Sequence, residues 1–273
     1  MDWQSILIAA LGVGIGGGVG ALIGKGLARL APQGWRRGVE IGCAVVLAVI
    51  GARVAVMIAG PPSAGANPSI ERQLLNDPTF GPMASAWRET DPASFDVYLG
   101  RVASAAGGNR AAAIEQARAE LMEAARPRIP NLSDAQLVEV IRLARDQMRE
   151  LKASHPIVCY PLFQGRRFGD ISPYLSQALI QRETNLLTAA FRANPNAQQP
   201  ALAEAELVAE INDLVARTRA QFGEDIALIA PDAQVEGREP RVCDAAAALY
   251  DQMLAMPEPQ AAALMRGLSA LSN

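Results

Sequence analysis

The side chains able to do chemistry are few in this 273-residue chain. His155 is the one histidine, which excludes a multi-histidine metal centre or a two-histidine proton relay. A Ser-His-Asp triad would have to use it, yet it precedes Pro156 with no nucleophile-elbow glycine motif nearby. Lys25 and Lys152 are the only lysines, leaving no good Ser-Lys dyad. Glu204, Glu206 and Glu210 form an acidic run of the kind that solvated helix faces carry. No phosphate-cradling glycine loop follows a strand pattern. The expectation is a non-enzymatic protein: no catalytic residue, no metal and no cofactor.

Binding chemistry concentrates in one stretch, His155 to Tyr174, which reads as a long connection between helices. Tyr160, Phe163, Arg166, Arg167, Phe168 and Asp170 are its candidate binding residues. Aromatic and arginine side chains on loops dominate the energetics of many interfaces. The competing reading is a connection pinned by Cys159 whose aromatics turn into the core. Cys159 and Cys243 are placed by the sequence at irregular segments flanking helices, and in an oxidising compartment they should pair. Two buried thiols are the alternative. Cys43 lies in an apolar run and reads as packing.

Behind these residues stand two kinds of element. Residues 1–60 predict a transmembrane helical hairpin. Ile6–Ile23 is uncharged, and residues 39–59 carry Glu40 at their margin and Arg53 within. Runs of about 20 residues span a hydrocarbon core of about 30 Å. The opening Met-Asp-Trp-Gln lacks the basic start of a signal peptide. Lys25, Arg29, Arg36 and Arg37 fall in or beside the loop 25–37, so the loop is expected in the cytoplasm and both termini outside. Gly12, Gly16, Gly20 and Gly24 recur every fourth residue, opposite Ala44, Ala48 and Ala52 in the second run. Missing side chains let backbones approach closely, a glycine zipper in which van der Waals packing drives association. Both glycine faces could also serve a ring of subunits. Arg53 is near enough to the outer end to snorkel, or else faces a partner carboxylate or a pore.

Residues 61–68 read as a linker, and 69–273 as an all-helical extracytoplasmic domain of six to eight helices. Asp91-Pro92 is an N-cap followed by Pro at the first helical position, with Phe95, Leu99, Val102 and Ala106 on one face. Another helix is expected from Asn109 to Ala125. Ser133-Asp-Ala-Gln136 is a capping box ahead of Leu137, Val140, Ile141, Ala144, Met148 and Leu151. Further helices are expected over Ser172–Arg192, Ala201–Phe222, Cys243–Met256 and Pro259–Leu271.

Residues 1–60 hold five basic and two acidic side chains, net +3, which leaves −6 for the rest of a chain whose total is −3. A mildly acidic domain without clustered Lys and Arg argues against nucleic acid. The expected partners are the lipid bilayer and either further copies of this chain or an envelope protein. The expected location is a bacterial inner membrane with the domain in the periplasm. A glycine-helix-lined pore subunit, or an anchored chaperone or immunity-type binder of a secreted protein, are the other readings.

Two short resemblances bear on these alternatives. Leu11-Gly-Val-Gly-Ile-Gly-Gly-Gly-Val-Gly20 resembles the inner helix of rotary ATP synthase c subunits. That family's function needs a mid-membrane carboxylate, where this chain offers only Arg53. Phe95-Asp96-Val-Tyr98 resembles the Phe-Asp-Tyr motif of membrane-anchored lipase chaperones, without that motif's leading arginine and with two anchor helices rather than one. An amphipathic helix accounts for the same residues.

Overall fold

Proline, glycine and capping side chains cut the chain beyond the linker into helices, whose apolar stripes decide how they stack. The computed structural model describes residues 68–105, 110–163, 174–194, 200–229, 235 and 237–271. They form ten α-helices with no strand among them: α1 (Pro68–Leu75), α2 (Gly81–Thr90), α3 (Pro92–Ala105), α4 (Arg110–Ala125), α5 (Asp134–Ser154), α6 (Pro156–Phe163), α7 (Gln177–Arg192), α8 (Glu204–Phe222), α9 (Glu239–Leu254) and α10 (Glu258–Leu271). Short 3-10 segments, Arg126–Asn131 and Gly223–Ile229, follow α4 and α8. The all-α expectation holds among the described residues of the domain, with ten helices rather than the six to eight expected, because several are short. The predicted membrane hairpin, with its glycine and alanine stripes and Arg53, lies outside the described residues. No helix among the described residues is long and apolar enough to cross a membrane.

α5 organises the fold. Ser133 takes the N–H of Gln136 on its hydroxyl while Gln136 Oε1 accepts the Ser133 N–H at 3.0 Å, closing the capping box the sequence shows. All six apolar residues foreseen on its face are buried, and α7, α9 and α10 pack against it. At the other helix starts, Asp91 Oδ1 accepts the Ser94 N–H ahead of α3, and Glu206 Oε2 accepts the Ala203 N–H ahead of α8. The end of α1 approaches the start of α2 so closely that a Cβ on Gly81 would lie 2.4 Å from the Leu75 carbonyl oxygen. Only glycine fits there.

Phe95 and Tyr98 of α3 are fully buried, whereas Asp96 is exposed. Their rings meet Trp87 of α2, which stacks on Phe191 of α7 at 5.3 Å. The Tyr98 hydroxyl donates to the Ala117 carbonyl at 2.8 Å. Burial pushes that phenol well above its ordinary pKa, so it stays neutral. These residues form core, in keeping with the amphipathic-helix reading.

α10 is enclosed on every side: residues 261–269 are all buried, among α5, α8, α9 and the segment Arg126–Asn131. Within it Arg266 is 4% exposed. Its guanidinium donates to the carbonyls of Pro130 (3.1 Å), Leu132 (2.9 Å) and Pro200 (3.4 Å) and pairs with Asp134 at 2.7 Å. One side chain thereby ties three segments together.

Ion pairs line the solvent side of α5. Arg182 of α7 bridges Glu139 (2.7 Å) and Asp146 (2.8 Å), while Arg145 and Arg149 reach Asp251 of α9 and Lys152 reaches Asp244. Burial alone would raise the Glu139 and Asp146 carboxyls, but hydrogen bonds from Arg182, with Arg142 and Arg145, outweigh it and hold both below the ordinary carboxylate range. A depressed folded-state value means that the pairing contributes fully above the unfolded pKa near 4 and is lost as pH falls through the folded one. Urea midpoints of the protein should be flat from about pH 5 to 7 and fall below about pH 4. Arg182→Gln should remove about 1 kcal/mol at neutral pH, a figure limited by the partial exposure of all three groups, and flatten the acid slope.

Candidate functional site

The candidate binding stretch begins where α5 ends. The His155 N–H caps α5 on the Leu151 carbonyl, and Pro156 then opens α6, a position where its missing N–H costs nothing. Residues 156–163, foreseen as connection, are therefore helical. The pair foreseen at irregular segments also sits inside helices, Cys159 in α6 and Cys243 in α9. Pro156 and Pro161 disguise α6 in the sequence, and α9 starts four residues earlier than foreseen because Pro240 begins it well.

The two cysteines are joined by a disulfide, with Cα atoms 6.0 Å apart and both residues fully buried. α6 lies against α9 and α5, burying Val158 and Cys159 and leaving Ile157 68% exposed. Beyond the stretch, the Tyr174 ring meets the His155 ring at 4.6 Å, and Glu150 of α5 takes both the N–H and the hydroxyl of Ser176 (Oγ to Oε2, 2.9 Å). The described residues on both sides of 164–173 are thus fastened to the last turns of α5.

Of the candidate residues, Tyr160 and Phe163 lie on α6, and Arg166, Arg167, Phe168 and Asp170 fall outside the described residues. The foreseen start of α7 at Ser172-Pro173 also falls outside them; the described helix begins at Gln177. His155 stands beside the Tyr174 ring and has no carboxylate partner among the described residues. No group of three or more His, Cys, Asp or Glu able to hold a metal occurs among them.

A second feature went unforeseen. An open groove of about 630 Å³ is lined by Pro82, Asn131, Gln136 and the α7 residues Asn185, Thr188, Ala189 and Arg192 with Ala193. Gln136 was visible as a capping residue, and the polar spacing Asn185-Thr188-Arg192 reads in sequence as one solvated turn-by-turn face. Their convergence depends on how α5 and α7 dock, which local sequence does not encode.

Compared with protein-family models, with curated proteins and with solved structures, the chain matches none.

Proposed function

We propose that this chain is a non-enzymatic cell-envelope protein of the bacterial inner membrane, anchored by its first sixty residues, whose periplasmic helical domain binds a protein partner or assembles with further copies. One observation carries the reading: the buried Cys159–Cys243 bond. Structural disulfides persist in oxidising compartments and are rare in the cytosol of mesophiles. The apolar runs 6–23 and 39–59, with the basic loop between them, supply the route to such a compartment. The binding surface assigned to the domain is the stretch carrying Tyr160, Phe163, Arg166, Arg167, Phe168 and Asp170, next to the exposed Ile157.

Two measurements test this. Protease added outside spheroplasts should digest the domain, and a domain that survives there but is digested once the spheroplasts are lysed would refute the topology. The pair Arg166→Ala with Arg167→Ala should cut recovery of the co-purified partner, or of the homo-oligomer, by about tenfold on the scale of interface hot spots. Undiminished recovery would remove the surface from consideration.

A further inference from the structure

We propose that the groove between the start of α2, the segment Arg126–Asn131 and helices α5 and α7 binds an extended peptide segment by its main chain, with Arg192 taking a terminal carboxylate. The proposal rests on the reading of this domain as a protein binder and names a class of partner for it.

Hydrogen-bond accounting inside the groove carries the idea. Gln136 Oε1 already accepts from both the N–H and the hydroxyl of Ser133 at 3.0 Å, so its amide NH₂ is what remains to a ligand. Its orientation is fixed, because a backbone N–H can only donate. Asn185 Oδ1 accepts from Gln181 at 3.1 Å, which likewise leaves an NH₂ group. The Thr188 hydroxyl donates to the Thr184 carbonyl at 2.7 Å, keeping its oxygen as an acceptor. Asn131 brings a whole amide, and Arg192 a guanidinium whose one ion-pair partner among the described residues is the exposed Glu89 at 3.7 Å. Donors thus outnumber acceptors, but both kinds are present.

A peptide main chain alternates carbonyl and N–H groups and so suits that mixture. A sugar would want an aromatic platform, and none of the lining residues is aromatic. A phosphate would want more than one cation. The groove is open and mostly polar, a shape suited to an extended chain laid along it rather than to an enclosed small molecule. Two parts of the wall are held in place. Arg266 grips the carbonyls on both sides of Asn131, and the capping box pins Gln136, so these two amides need little ordering on binding, while Asn185 and Arg192 stand exposed on the α7 side.

The test uses the full chain in mild detergent, ¹⁵N-labelled at asparagine and glutamine, titrated with tetra-alanine as the free acid and as the carboxamide. Saturable movement of the Asn131, Gln136 and Asn185 side-chain signals is expected with both. Arg192→Gln should weaken the free acid about tenfold, the scale of a lost charge-assisted hydrogen bond, and leave the carboxamide unchanged. Asn185→Leu with Thr188→Val should weaken both. The proposal is overturned by still signals, by movement indifferent to these substitutions, or by equal saturable movement with glucose or inorganic phosphate. Partner recovery in the Arg166→Ala, Arg167→Ala variant reports on the protein-binding reading separately, so the two can fail independently.

Discussion

Replacing Cys159 and Cys243 together by alanine is expected to lower the stability of the helical domain by about 4–5 kcal/mol and its melting midpoint by about 10 °C or more. The bond closes 84 residues of chain, carrying α7 and α8 between its ends, and the unbridged unfolded chain regains the loop-closure entropy of that span. Alanine is the right probe because both sulfurs are buried, where serine would add an unsatisfied hydroxyl. Melting followed by far-ultraviolet circular dichroism, with and without reductant during unfolding, measures the difference. A loss under about 1 kcal/mol would mean that packing of α6 against α9 holds the pair together without its bond. Since neither sulfur is exposed, alkylation of the native protein under mild reductant should be slow compared with that of the unfolded chain.

Arg266→Leu should be comparably damaging, at about 3–5 kcal/mol. Two contributions differ in weight. Asp134 is 31% exposed, so water relieves it when its partner goes, and that ion pair accounts for the smaller share. The Leu132 carbonyl loses a charged donor where it is buried, which costs about 1–3 kcal/mol, while the part-exposed carbonyls of Pro130 and Pro200 add less each because water can reach them. Arg266→Lys keeps the charge but cannot fork toward three acceptors, so it should recover less than half of the loss. The same melts decide it; a leucine variant as stable as the parent would show that the carbonyls find other donors.

Local signals made part of this architecture legible. The capping box at Ser133, the N-cap at Asp91 and the apolar faces of α3, α5 and α8 are written in residues three and four apart; of the face expected on α8, Leu207, Ile211, Leu214 and Val215 are buried, while Phe222 at its end is only partly so. The pairing of Cys159 with Cys243 followed from there being no other cysteine beyond the linker. Short helices escaped notice. α1 is only eight residues long, α2 starts with Gly81-Pro82, and α6 holds two prolines, so each resembles connection until packing stabilises it. Arg266 was unreadable for another reason: its partners sit 66 to 136 residues away, and nothing near it announces burial of a charge. The groove's amides were hidden likewise, since their meeting is a property of helix docking.

The enclosure of α10 has a consequence for how the domain is made. A polypeptide emerges from its N-terminal end, and α10, which fills the space between α5, α8 and α9, is synthesised after all three. Until then α5, α8 and α9 face a space with no occupant, and the leucines meant for it are wet. Maturation of this domain therefore waits on translation of α10, and a ribosome stalled before Glu258 leaves behind a hollow, sticky chain, fit for a holdase or a protease.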